Sequence, residues 1–230
     1  MHLLIPAAGS GRRMGSQRNK LLLTLLGKPL LSWTLAEAEA SRQISWIGIM
    51  GQRSDFPDFE AIIGDLCPKK PIELIQGGAT RQESVYNGLQ ALPANADRVL
   101  IHDGARCLAT AELFDRSANA LLSCPGLIVA VPVKDTIKVV DERRIVRETP
   151  ERSNLWAAQT PQGFEVQLLK KCHALGREKG WEVTDDAALF EKCGLPVQIV
   201  EGEETNLKVT TPVDLALAEF ILRQRRERSK

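Results

Sequence analysis

Residues 3–6, Leu3-Leu4-Ile5-Pro6, are wholly apolar, and the chain then loses side-chain bulk at once, with Ala7-Ala8-Gly9-Ser10-Gly11. An apolar run without polar alternation is covered on both faces, as in the central strand of a parallel sheet. Small residues straight after such a strand let backbone N–H groups come close to a ligand. Four cations follow within nine positions, Arg12, Arg13, Arg18 and Lys20. The stretch predicts a strand ending in a phosphate cradle.

The rest of the chain repeats that alternation. Further strands are expected at 44–50, 72–75, 98–102, 127–133, 197–200 and 207–209. Helices are expected at 29–40, 58–66, 82–92, 111–122, 164–179 and 184–194, and from 211 onward. Thr184 reads as an N-cap with Asp185 and Asp186 in the first turn, and Thr211 as a cap with Pro212 at the first helical position. Strands alternating with helices fold as a three-layer, Rossmann-like α/β domain with a mostly parallel sheet. Ligands bind outside the carboxyl ends of such strands. The opening loop, Gly77-Gly78 and residues 103–106 all follow strands, so they should converge on one site. Between 134 and 159 the alternation stops. Short segments at 136–140 and 143–148 around Asp141-Glu142 predict a β-hairpin arm inserted into a single domain spanning 1–230.

The bulk properties exclude several functions. A net charge of +1 leaves no overall field for nucleic acid or an acidic membrane, so basic clusters act locally. No apolar run approaches the roughly 20 residues of a membrane helix, and the N-terminus does not read as a signal peptide. The five cysteines are scattered, without a C-x-x-C pair, and read as reduced thiols of a cytoplasmic protein. Gly9-x-Gly11-x-x-x-Gly15 is one residue too long for a dinucleotide fingerprint, and no G-x-x-x-x-G-K-[ST] run exists. What remains is a glycine loop with Arg and Lys reaching over a polyphosphate. His102 reads as a satisfied strand-end residue, and the four tryptophans as packing.

Pro6 to Gly15, P-A-A-G-S-G-R-R-M-G, resembles the sugar-nucleotide pyrophosphorylase-like nucleotidyltransferases. Lys20 adds to the match, as do Gly77-Gly78 with Arg81 and Ser84, His102-Asp103-Gly104-Ala105-Arg106, and Pro132-Val133-Lys134-Asp135-Thr136. Thr160-Pro161-Gln162, Thr184-Asp185 and Asn206-Leu207-Lys208-Val209-Thr210 complete it. In that order they resemble the 2-C-methyl-D-erythritol 4-phosphate cytidylyltransferase family of the non-mevalonate isoprenoid pathway, over nearly the whole chain.

The resemblance implies a nucleotide-diphospho-sugar transferase fold in which CTP and 2-C-methyl-D-erythritol 4-phosphate react with release of pyrophosphate. By the same resemblance Arg13 and Lys20 stabilise the α-phosphate and the leaving group, while Arg152 and Lys208 position the acceptor. Ala7, Ala8, Gly9, Gly11, Gly78, Ser84 and Asp103 match nucleotide-binding positions. Asp103, Arg106, Thr136 and Thr184 match positions around the acceptor, with Asp103 also a candidate ligand for Mg²⁺ or another divalent cation. The arm would embrace a second subunit and carry Arg152 into the neighbour's site. Three positions depart from the common family pattern: Leu21, Ala79 and Thr205, the last where some members have an acid. A cytidylyltransferase for another polyol phosphate, such as ribitol 5-phosphate, is the alternative reading. A silent nucleotide-binding regulator and an NAD-dependent oxidoreductase are more distant ones.

Overall fold

The computed structural model describes residues 1–9 and 18–228. Its centre is a seven-stranded sheet of β1 (His2–Pro6), β4 (Trp46–Gly51), β5 (Ile72–Gln76), β6 (Arg98–Ile101), β7 (Gly126–Pro132), β10 (Trp156–Glu165) and β11 (Gln198–Glu201). Two short ribbons lie outside it: β2 (Thr24–Leu25) with β3 (Lys28–Pro29), and β8 (Val139–Val140) with β9 (Val146–Glu148). The sheet order is β11-β7-β10-β6-β1-β4-β5. β1 lies parallel to β4, with Leu3 opposite Ile47, and parallel to β6, with Leu3 opposite Leu100. Only β10 runs against its neighbours, β6 and β7.

The helices are α1 (Leu30–Ala40), α2 (Phe56–Leu66), α3 (Arg81–Ala91), α4 (Ala111–Ala120), α5 (Val166–Glu178), α6 (Asp186–Lys192) and α7 (Pro212–Arg228). The doubly apolar strands explain how they divide. Leu3 and Ile5 point into a core shared with α1, α2 and α4, which includes Leu35, Phe59 and Phe114. Leu4 points the other way, into a core with α3, α5 and α6 that includes Val85, Leu169 and Phe190. A third cluster packs Leu25 and Leu30 against Val209, Ala218 and Leu222, docking α7 beside the β2–β3 ribbon. Full burial of side chains of this size contributes roughly 1.5–3 kcal/mol each, which fixes where the strands end and hence where the loops begin.

Most predicted elements form within a few residues of their expected bounds. The departures have physical causes. Residues 156–159, read as the end of the arm, and Phe164, read as the start of a helix, belong to β10. Its side chains are small or polar, Ala157, Ala158, Gln159, Thr160, Gln162 and Gly163, and lack the β-branched alternation that betrays a strand. Ala157 and Ala158 are exposed, whereas Gln159 to Gly163 are buried, with Thr160 and Gln162 spending their polar atoms on neighbouring loops. Residues 207–209 form no strand; Val209 makes one backbone bond, donating to Ala105 O at 2.8 Å. α6 is capped by Asp185, which accepts from Ala188 N at 2.9 Å, rather than by Thr184. Thr211 caps α7 as expected, its hydroxyl accepting from Asp214 N.

The arm is a hairpin whose turn is organised by Asp141, whose Oδ1 accepts from Arg143 N and Ile145 N. Arg144 takes the left-handed conformation, φ 60°. Val139, Val140, Ile145 and Val146 are 44–54% exposed, so the hairpin buries no core of its own.

Candidate active site

A cavity of about 350 Å³ opens at the carboxyl ends of β1 and β6 and the N-terminus of α3. β1 is flanked by β4 on one side and β6 on the other, so the chain reverses its direction of travel across the sheet here. Such a switch point parts the loops and leaves a crevice. The lining includes Ala7, Ala8, Gly9, Lys20, Gly78, Ser84, Asp103 and Lys208, eight residues singled out from sequence.

Each wall is held by local bonds. Asn19 donates to Ala7 O at 2.6 Å and to Asp55 Oδ2 at 2.8 Å, and accepts from Leu21 N. One buried side chain thus ties the end of β1 to the 3₁₀ turn Lys20–Leu22. Lys20 Nζ, aimed across the cavity, donates to Val209 O at 3.0 Å. On the opposite wall Thr80 and Glu83 form a capping box at the start of α3, and Ser84 Oγ accepts from Gly78 N. A side chain at Gly77 would meet Ala8 Cβ at 2.7 Å, and one at Gly78 would overlap Glu83 Cβ. Both glycines are required by close approach, which brings the cap of α3 against the end of β1.

Among the described residues, Asp103 is the one carboxylate lining the cavity, facing three cations there, Lys20, Arg81 and Lys208. Oδ2 lies 2.6 Å from Lys208 Nζ and Oδ1 lies 3.3 Å from Arg81 Nε. Burial pushes its carboxyl up, but Arg81 and Lys208 outweigh burial and hold it below the usual carboxylate range. Arg81 continues to buried Asp186, its Nη1 at 2.7 Å from Oδ2. Burial disfavours the guanidinium charge, yet the two carboxylates keep Arg81 firmly protonated. Asp186 in turn sits beside His173. A line of contacts therefore runs from Lys208 through Asp103, Arg81 and Asp186 to His173.

Beneath the cavity, His102 is fully buried and neutral. Burial pushes its pKa down to about 4. Nε2–H donates to Arg106 O at 3.2 Å and Nδ1 accepts from the Thr160 hydroxyl at 3.0 Å, while Thr160 Oγ1 accepts from Asp103 N at 3.1 Å. The tautomer follows from these partners. His102 is a brace that fixes the loop carrying Asp103.

Several expected residues lie elsewhere. Arg106 does not line the cavity; its guanidinium donates to Asn206 O at 2.7 Å and Ala158 O at 3.1 Å, pinning the segment that presents Lys208. Thr184 is exposed outside the cavity. Thr136 and Arg152 are exposed on and beside the arm, with Arg152 Nη1 donating to Lys134 O. Gly11 and Arg13 fall outside the described residues. The roles of Asn19, Arg81, Asp186 and Thr160 are not apparent from sequence. For Arg81 a signal is available, a cation at the first position of a helix that follows a glycine turn.

Mg²⁺ has limited protein support. Among the described residues no group of three or more His, Cys, Asp or Glu could hold a metal. A single carboxylate suits Mg²⁺ bound largely by substrate phosphates and water, and Asp103 fits that pattern. Of the three positions that depart from the common family pattern, Leu21 is buried in the core, Ala79 carries no side-chain polar group into the cavity it lines, and Thr205 bonds Arg225 and Glu203.

The sequence profile of 2-C-methyl-D-erythritol 4-phosphate cytidylyltransferase matches residues 1–224. A protein of that name from Trichodesmium erythraeum is 74% identical over 222 residues, covering 96% of this chain and 98% of the relative. Its counterpart in Crocosphaera subtropica is 72% identical over 225 residues, with 98% and 99% coverage. Among solved structures, the 4-diphosphocytidyl-2C-methyl-D-erythritol synthase of Anaerococcus prevotii aligns with a TM-score of 0.87 at 32% identity, covering 96% of this chain and 97% of the other. The 2-C-methyl-D-erythritol 4-phosphate cytidylyltransferase of Thermus thermophilus aligns with a TM-score of 0.78 at 36% identity, covering 96% and 98%.

Proposed function

From the premise that the chain belongs to the 2-C-methyl-D-erythritol 4-phosphate cytidylyltransferase family, we propose that the cavity between Lys20, Ser84, Asp103 and Lys208 is where its reaction takes place. The enzyme transfers the cytidylyl group of CTP to 2-C-methyl-D-erythritol 4-phosphate. An acceptor phosphate oxygen forms the bond to the α-phosphorus. The bond from that phosphorus to the α,β-bridging oxygen breaks, and pyrophosphate leaves with the electron pair. A phosphate dianion is already a nucleophile, so no general base is required and neutral, braced His102 is left out of the chemistry. Catalysis is then positioning and charge stabilisation.

The observation that carries this assignment is the three-to-one excess of cations over carboxylates among the described residues at the switch point. Lys20, joined by Arg13 from the opening loop, stabilises the α-phosphate and the departing pyrophosphate. Lys208, aimed by Asp103, receives the acceptor. The backbone at Ala7, Ala8 and Gly9, and Gly78 with Ser84, frames the nucleotide. When bound, a divalent cation would neutralise phosphate charge, with Asp103 as its protein ligand.

The domain reading is one catalytic unit over 1–230 carrying the arm. Two strands with an exposed apolar surface are marginal alone. We assign the arm to a homodimer in which Arg152 and Thr136 reach the partner's acceptor site. Sedimentation should give a dimer, and deletion of 136–148 a monomer with at least tenfold lower activity; a fully active monomer contradicts this assignment. The compartment assigned is the cytoplasm, and no described helix is long and apolar enough to cross a membrane.

The test of function is pyrophosphate release from CTP, ATP, GTP and UTP with a panel of acceptors. Release should require CTP and 2-C-methyl-D-erythritol 4-phosphate. Preference for ribitol 5-phosphate would replace the acceptor, and activity with ATP alone would refute the pyrimidine assignment.

A further inference from the structure

The segment between β4 and α2 bonds to both walls of the reaction cavity. β4 ends at Gly51, where a side chain would meet the Phe59 ring at 2.6 Å, so the chain is pressed onto α2 as it leaves the sheet. The last two carbonyls of the strand bond to opposite neighbours. Met50 O accepts from Ala7 N at 2.7 Å, and Gly51 O accepts from Gly77 N at 2.8 Å. The 3₁₀ turn Arg53–Asp55 comes next.

The side chains repeat that division. Towards the turn before α3, Gln52 Nε2 donates to Gly78 O at 3.4 Å. Gln76 Nε2 donates to Gly77 O at 3.2 Å and to Gln52 Oε1 at 3.5 Å, while Gln76 Oε1 accepts from Arg53 Nε at 3.2 Å. Gly78 N donates to Ser84 Oγ at 3.0 Å, so Gly78 is held from α3 through its N–H and from segment 52–55 through its carbonyl. Towards the other wall, Asp55 Oδ2 accepts from Asn19 Nδ2 at 2.8 Å. A side-chain amide has two N–H donors, and Asn19 spends one on Ala7 O and the other on Asp55. Asn19 is buried, so loss of Asp55 would leave a donor open beside Lys20, an unfavourable state that the turn relieves by shifting. Gln52, Arg53 and Asp55 are not among the described residues that line the cavity. They hold its two walls from outside.

We infer that segment 52–55 is a strap that sets the separation of the two cavity walls, with Gln52 the positioning residue of the Gly78 wall and Asp55 that of the Lys20 wall. The inference rests on the roles assigned above to Lys20 in the transfer and to Gly78 in framing the nucleotide. It gives two neighbouring residues different kinetic signatures. A wall that frames the nucleotide holds it equally before and during the transfer, so slackening it weakens binding without slowing the step. Lys20 meets charge that develops only in the transition state, so displacing it slows the step.

Kinetics of CTP-dependent pyrophosphate release, with thermal unfolding of each variant, test the strap. Gln52→Leu should raise the KM for CTP about fivefold and leave kcat within about twofold, whereas Asp55→Leu should lower kcat about tenfold with the KM for CTP within about twofold. Asp55→Asn, which keeps an oxygen acceptor for Asn19, should recover most of the turnover. Gln52→Glu, which keeps the shape but loses the donor, should behave as Gln52→Leu. The two residues act on separate walls, so the double Leu variant should show both effects multiplied. Lys20→Ala, run in parallel, separates the strap from the reaction assignment. A large loss there with parent-like Gln52→Leu and Asp55→Leu would overturn the strap alone; a parent-like Lys20→Ala would overturn the role of Lys20 and the kcat half of the inference with it. Equal changes of kcat and KM in both Leu variants, or losses that follow the unfolding temperature and are not rescued by Asp55→Asn, would also overturn the strap.

Discussion

Replacing Lys20 with Ala should lower kcat by about 10³-fold while CTP affinity falls less than tenfold. The magnitude is that of removing one preorganised donor from a site where charge develops in the transition state, about 10²–10³. The split follows from geometry. Lys20 is held in a 3₁₀ turn by Asn19, with Nζ 3.0 Å from Val209 O, so it is positioned before any substrate arrives. Gly9 and Gly78 also line the cavity, and in the proposed assignment their backbone holds the nucleotide. Lys20→Met, which keeps the side-chain stem, should lose as much turnover, showing that the charge matters rather than the packing. Single-turnover kinetics with CTP binding measured separately checks this. Turnover within tenfold of the parent would remove Lys20 from the chemistry.

The second large effect is at Asp103. Asp103→Asn keeps the shape but withdraws the counter-charge from Lys208 and Arg81. Lys208, 2.6 Å away and partly exposed, loses the group that aims it. Arg81 retains Asp186, so the fold survives, with a stability loss of about 1–2 kcal/mol. Activity should fall by roughly 10²-fold, with the larger share in the KM for the acceptor. Lys208→Met should produce a similar loss. Residues that act as one unit are not additive, so the double variant should resemble the worse single variant. Losses that multiply would mean that Asp103 and Lys208 act independently.

The architecture is legible where burial writes itself into composition. β1, β6 and β7 are apolar on both faces because helices cover both, and a short run of that kind would be costly to leave facing water on either side. Composition fails at β10, whose polar residues Gln159, Thr160 and Gln162 are buried for hydrogen bonding rather than for packing. Gln162 donates to Asp185 and accepts from Asp186 N and Ala187 N, and Thr160 joins His102 to Asp103 N. Those partners are distant in the chain, so no local period reports them. The same reason separates the legible half of the site from the rest. Ala7, Ala8, Gly9 and Lys20 are contiguous or nearly so after one strand. The line from Lys208 to His173 joins residues from the end of β6, the start of α3, the start of α6, α5 and the segment after β11. Arg106 illustrates the converse. Its place in a motif points to substrate, while its guanidinium clamps Asn206 O and Ala158 O, outside the lining of the cavity.

The central claim is that the acceptor's own phosphate attacks the α-phosphorus, with the protein supplying position and charge. It is tested most directly by running the reaction with 2-C-methyl-D-erythritol 4-phosphate labelled with ¹⁸O in all its non-bridging phosphate oxygens. Mass spectrometry and ³¹P NMR then locate the label in both products. Direct attack predicts that all the label stays with the cytidylylated product, including its new diphosphate bridge, and that the pyrophosphate carries none. Label in the pyrophosphate, or an unlabelled diphosphate bridge, would contradict it.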